Sequence, residues 1–236
     1  PALVWEPPGE VADAASASLD HSALDAAVEG AARWLLSHGA GAGERVAWCL
    51  PKGPAAVLVH LACLRLGAVS VPLNPRAPAA ERAHPLRDAA PALLVHDGAA
   101  ATGALALPDV VVDPWRLPAP AATDAARQPG PAPGDLACLI YTSGTTGAPK
   151  GAMLTHAGLA ANDRALRQAW RFVADDRLLH VLPLFHVHGL FVGLHLALGS
   201  GACVRLVDGA DGPRLWRLLR EDGVSVFMAV PTVHHR

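Results

Sequence analysis

Between residues 45 and 96 short apolar runs alternate with amphipathic stretches, and this alternation restricts the fold more than any other feature. Arg45-Val46-Ala47-Trp48-Cys49-Leu50 reads as a strand. Pro54 opens a helix through Leu66 with Val57, Leu58, Leu61 and Leu64 on a wide apolar face, and Gly67 ends it. Residues 69–73 read as the next strand, Asn74-Pro75 turns the chain, residues 79–89 form a helix with Arg82 and Arg87 outward, and residues 92–96 form a third strand. Strands separated by helices pair in parallel through crossover connections. The expected class is therefore α/β, with parallel-rich sheets and crossover helices on both faces.

The flanking regions extend this pattern. Residues 1–19, rich in Ala, Ser and Pro, read as an arm at an edge. Asp20 or Ser22 can cap a helix to about His38, where Leu24, Val28, Ala31 and Leu35 recur at helical spacing and Gly39 is the stop signal. Val110-Val111-Val112 is a brief strand, and residues 114–134 carry six prolines and little periodicity. That stretch reads as a long Pro-rich connection inside one domain covering residues 1–236. After it come a helix at 157–170, a strand at 177–182, a helix ending at Leu198, a strand at 202–207, a helix at 213–220 and a strand at 224–230.

The chemistry concentrates where one strand breaks. Residues 136–141 are nearly all apolar, as a strand buried on both faces requires. They run into Thr142-Ser143-Gly144-Thr145-Thr146-Gly147-Ala148-Pro149-Lys150-Gly151, which makes poor core and poor helix. Residues 152–155 read as short and extended. Glycines let backbone N–H groups approach an anion, successive N–H groups form a phosphate-binding concavity, and the hydroxyls and the lysine add donors and charge. The Walker arrangement has a glycine directly before its lysine, whereas Pro149 precedes Lys150, so a kinase or GTPase reading loses its main support.

The order strand, Thr-Ser-Gly-Thr-Thr-Gly, one residue, Pro-Lys-Gly resembles the phosphate-loop signature of the AMP-forming adenylating enzymes: acyl-CoA synthetases, peptide-synthetase adenylation domains and luciferases. The resemblance implies that Thr142, Ser143, Gly144, Thr145, Thr146, Gly147 and Lys150 bind the phosphates of ATP, with Mg²⁺ shared between phosphates, water and a loop hydroxyl. A second motif, Leu182-Pro183-Leu184-Phe185-His186-Val187-His188-Gly189-Leu190, matches the family's Pro-x-Phe/Tyr-His segment, which implies that His186 and Val187 line the acyl pocket. The bland alternative for His186 is a core histidine bonded to backbone. A third, Val230-Pro231-Thr232 with Arg236 after it, looks most like the malonyl-CoA synthetase branch, where the matching arginine binds the distal carboxylate of the diacid. A second negative charge calls for a bidentate partner such as guanidinium.

The implied reaction has two halves: a small carboxylic acid attacks ATP to give an acyl-adenylate and pyrophosphate, and the thiol of coenzyme A, or of a carrier pantetheine, then takes the acyl group and releases AMP. The family's later acidic motif, ribose-binding Asp and small C-terminal domain with its lysine are not found in this sequence, so the expectation is an N-terminal part that cannot complete adenylation alone. Two alternatives stay open: a non-catalytic half-domain that binds nucleotide or acyl groups, and a peptide-synthetase adenylation domain. The last strand, at 224–230, is expected to be an uncovered edge open to self-association.

Composition narrows the partners. A formal net charge of −2 argues against nucleic acid or an anionic membrane surface as main partner. Cys49, Cys63, Cys138 and Cys203 form no close pair, which fits free thiols in a reducing, cytoplasmic setting. No Cys/His cluster has zinc-ligand spacing. Residues 178–204 lack Asp, Glu, Lys and Arg, but Pro183, four histidines and the glycines interrupt any single spanning helix, so no membrane span is expected.

Overall fold

The structure is a computed structural model and describes residues 1–5, 17–99, 107–114, 130–142, 148–209, 212–221 and 223–231. The sequence-predicted residues Ser143, Gly144, Thr145, Thr146, Gly147 and Arg236, and most of the Pro-rich connection, lie outside these.

The elements follow sequence signals closely. β1 (Leu3–Trp5) and β2 (Ala17–Leu19) lead to α1 (His21–Ser37). Asp20 caps α1: its Oδ1 accepts the Ala23 N–H at 2.7 Å. β3 (Arg45–Cys49), α2 (Pro54–Leu66), β4 (Val69–Pro72), α3 (Ala79–Ala89), β5 (Leu93–His96) and β6 (Asp109–Val111) come next. Gly67 ends α2 in the left-handed region, at φ 71°, where it returns its N–H to the last turn. β7 (Leu136–Thr142) and β8 (Lys150–Thr155) form a hairpin, followed by α4 (His156–Trp170) and β9 (Arg177–His180). A π-helical segment (His188–His195) runs into α5 (Leu196–Gly199), then β10 (Cys203–Leu206), α6 (Gly212–Glu221) and β11 (Val226–Met228).

The chain divides into two compact units, one of Ala26–Leu159 and one of Pro1–Asp25 with Ala160–Arg236. The first holds a six-stranded sheet in the order β6-β5-β3-β4-β7-β8, parallel except for the β7–β8 pair. Strand alternation sorts its core into two faces. Ala47, Cys49, Val71, Leu73 and Leu94 pack with Leu86 and Ala89 of α3. On the opposite face Ser70 Oγ accepts the Trp48 Nε1–H at 2.9 Å and lies 2.8 Å from Nδ1 of His60, which belongs to α2. Crossover helices thus cover both faces, as the alternating pattern requires. One expectation is corrected here: Arg82 does not point outward. It is buried, and its guanidinium donates to the carbonyls of Pro75 and Ala77, tying the β4–α3 turn. Arg87 is exposed as expected.

The second unit holds a five-stranded sheet in the order β11-β9-β10-β1-β2, parallel except for β1–β2. Leu3–Trp5 and Ala17–Leu19 of the N-terminal arm are therefore part of a sheet, and β1 lies inside it, between β10 and β2. Leu218 of α6 packs with Leu179 and Val207, while His180, next along β9, points to the other face and meets the π-helical segment. Among the described residues β11 pairs only with β9 and is an edge strand. No helix among the described residues is long and apolar enough to cross a membrane.

Candidate functional site

In the Ala26–Leu159 unit, the expected short stretch at 152–155 is a longer strand. β8 begins at Lys150 and pairs antiparallel with β7, so that the phosphate-loop segment connects the two strands of a hairpin. Thr142 and Lys150 face each other at the end of this ladder, and both are exposed. Lys150 is not folded into the apolar interior. It stands where a mobile ammonium and a hydroxyl can reach one anion.

The hairpin is braced from α3. The Tyr141 hydroxyl donates to Asp88 Oδ2 at 2.7 Å, and His84 Nε2 donates to the Pro149 carbonyl at 2.9 Å. Burial and the Asp88 carboxylate push the Tyr141 phenol well above its usual pKa, so it stays a donor. Below the hairpin, Asp135 closes a turn through the Ala132 N–H, and its carbonyl accepts the His156 N–H at 3.1 Å, setting the start of α4. The bracing pair was not read from the sequence; its one sequence signal is the i,i+4 spacing of His84 and Asp88 on a helix.

In the other unit, His186 and Val187 are both exposed on the loop between β9 and the π-helical segment. The His186 ring lies against Phe185, centroids 4.4 Å apart, and desolvation lowers its pKa from the usual imidazole value. The buried histidine bonded to backbone is instead His180, whose Nε2 donates to the Gly189 carbonyl at 2.7 Å. Two glycines make this packing possible. A Cβ at Gly189 would lie 2.0 Å from the Pro183 carbonyl oxygen, and one at Gly193 would lie 2.9 Å from His180 Nε2. The helix expected to end at Leu198 is mostly π-helical, a conformation that often marks functional sites.

A groove of about 490 Å³ in this unit is lined by Trp170, Phe172, Val173, Ser225 and Met228 among others, beside the edge strand β11. Of the predicted site residues that are described, none lines it. The four cysteines are free and buried, and burial raises the pKa of each thiol, that of Cys49 to about 11, the opposite of the shift that activates a nucleophile. Among the described residues no group of three His, Cys, Asp or Glu could hold a metal ion.

Comparison with known proteins adds what geometry alone does not. The profile of the AMP-binding enzyme family matches residues 1–236. A feruloyl-CoA synthase from Amycolatopsis sp. is 33% identical over 222 residues, covering 92% of this chain and 44% of that protein. A mitochondrial malonate–CoA ligase of Homo sapiens is 33% identical over 206 residues, covering 81% of this chain and 35% of that protein. The crystal structure of ATP-bound MatB from Rhodopseudomonas palustris superposes with a TM-score of 0.84 at 31% identity, over all of this chain and 47% of that one. The chain thus spans about half the length, or less, of the relatives it matches. With a family profile matched from first residue to last, and the Thr142–Lys150 hairpin in place, this chain belongs to the AMP-binding enzyme family.

Proposed function

We propose that this chain is the phosphate-gripping part of an AMP-forming acid–thiol ligase that activates a small diacid, malonate or a methylmalonate-like acid, and passes it to coenzyme A. The observation that carries the reading is the exposed Thr142–Lys150 pair on the last described rung of the β7–β8 ladder. Thr142, Ser143, Gly144, Thr145, Thr146, Gly147 and Lys150 hold the β- and γ-phosphates of ATP. Charge neutralisation and in-line placement are what phosphoryl chemistry asks of a protein. Mg²⁺, a hard cation that binds phosphate and water oxygens, fits a site whose described protein donor is the Thr142 hydroxyl. It would neutralise charge on the phosphates.

His186 and Val187 line the acyl pocket in this reading, and Arg236 pairs with the distal carboxylate. Support for a diacid comes from the Val-Pro-Thr and Arg236 motif and from the malonate–CoA ligase relative. The feruloyl-CoA synthase relative makes a bulky aromatic acid the competing substrate. Four buried free thiols suit a reducing, cytoplasmic setting. Because the chain covers 44% of one relative and 47% of MatB, a second reading is that these residues bind nucleotide without completing adenylation.

Two measurements test this. Titration of the chain with MgATP should show binding that Lys150→Ala weakens. ATP–pyrophosphate exchange with malonate, methylmalonate, acetate and ferulate, in a polypeptide of the family's full length carrying these residues, should favour the diacids. Arg236→Ala should remove that preference; equal loss with acetate, or a preference for ferulate, overturns the diacid assignment. Acid-dependent pyrophosphate release from the 236-residue chain alone would overturn the second reading.

A further inference from the structure

α3 touches both strands of the hairpin that presents Thr142 and Lys150, and does so from one face. His84 donates to the carbonyl of Pro149, the residue before Lys150. Asp88, one helical turn on, accepts from Tyr141, the residue before Thr142. Tyr141 in turn lies over Gly151, its partner in the ladder and the residue after Lys150; a Cβ there would come within 3.2 Å of the Tyr141 ring. All of these contacts fall within one residue of Thr142 or Lys150.

The hairpin has a physical need for such a brace. Among the described residues β8 is the last strand of its sheet and pairs only with β7. The matched pair between β7 and its inner neighbour β4 is Ser70 with Cys138, while the hairpin runs on to the Thr142–Lys150 rung. A two-stranded ribbon is marginal by itself, and a slip of one residue turns every side chain to the opposite face. Such a slip would carry Lys150 away from Thr142.

We propose that His84 and Asp88 are positioning residues for nucleotide binding: through Pro149 and Tyr141 they hold the Thr142–Lys150 rung in the register and orientation that meets a triphosphate. The proposal rests on the phosphate-binding reading given above. Each acts through the Thr142–Lys150 rung, His84 by way of Pro149 and Asp88 by way of Tyr141. His84 supplies an N–H and Asp88 an acceptor oxygen, so variants that keep those groups should keep the function.

The test is calorimetric titration of the 236-residue chain with MgATP and with inorganic tripolyphosphate, alongside the thermal midpoint of each sample. His84→Leu and Asp88→Leu are expected to bind about three- to tenfold more weakly, the loss of one ordinary hydrogen bond's worth of alignment. His84→Gln and Asp88→Asn, which retain donor and acceptor, should restore most of the affinity. Tyr141→Phe should match Asp88→Leu, and the double variant should be no weaker than either single. If the wild-type chain binds neither probe, or Lys150→Ala binds as the wild type does, the phosphate-binding reading itself fails. If Lys150→Ala weakens binding while the leucine variants keep wild-type affinity, the brace is overturned and that reading stands. Should the leucine variants fail to fold, Tyr141→Phe decides: weakened binding supports the brace, and wild-type affinity overturns it.

Discussion

Lys150 stands opposite Thr142 on the last described rung of the β7–β8 ladder, and both are exposed. Removing the ammonium should therefore affect anion binding and leave the fold intact. Lys150→Ala is expected to weaken MgATP binding roughly tenfold to a hundredfold, the range for a hydrogen bond to a charged group. The thermal midpoint should stay within a degree or two of wild type, roughly what an exposed site allows. Calorimetry and thermal melts on the same samples check both halves.

Gly189 and Gly193 are expected to differ in cost although both are small residues in one π-helical segment. At Gly189 the obstacle to a Cβ is the Pro183 backbone carbonyl, 2.0 Å away, which cannot step aside without moving the chain. At Gly193 it is the His180 ring, 2.9 Å away, held by its own bond to the Gly189 carbonyl. Gly189→Ala should cost about 3 kcal/mol or more, and Gly193→Ala about 1–3 kcal/mol. Urea denaturation measures both; equal, negligible losses would contradict the packing described.

His195 lies edge-on to Phe191, ring centroids 5.0 Å apart, and burial pushes its pKa down to about 4 from 6.5. In that window the unfolded chain takes up a proton that the folded chain does not. Stability from this group is thus fully present above pH 6.5 and falls as the pH drops toward 4. The folding constant should decrease by up to about tenfold per pH unit over that range. The lowered pKa values of His156 and His186 act with the same sign. Urea midpoints across the window should show the slope, and His195→Gln should reduce it.

Ser70 holds a buried polar knot in the middle of the six-stranded sheet, accepting from Trp48 and lying against His60. Ser70→Ala leaves the Trp48 N–H without its acceptor in the interior, at a cost of about 1–3 kcal/mol. Trp48→Phe combined with Ser70→Ala should cost less than the sum of the two single changes. A double-mutant cycle in denaturant checks this; strict additivity would mean the bond contributes nothing.

Much of the architecture was legible. Pro54 and Gly67 bound α2 where proline and glycine chemistry place them, and Asp20 caps α1. Arg82 was misread because a charged residue on a short helix is usually solvated; here the carbonyls of Pro75 and Ala77 lie within its reach. The helix before Leu198 was legible, but not its π-helical form, because both forms bury similar apolar residues.

By itself the sequence determined the alternation of strands and helices between 45 and 96 and the family, because local propensity, turn residues and motif order are written along the chain. Tertiary structure alone decided which strands share a sheet, that β1 enters one beside β10, and that α3 reaches Pro149 and Tyr141. Those relations join residues far apart in the chain, such as Leu3 with Val204 and Asp88 with Tyr141. Hydrophobic patterning says that a face is buried, and only packing says against what.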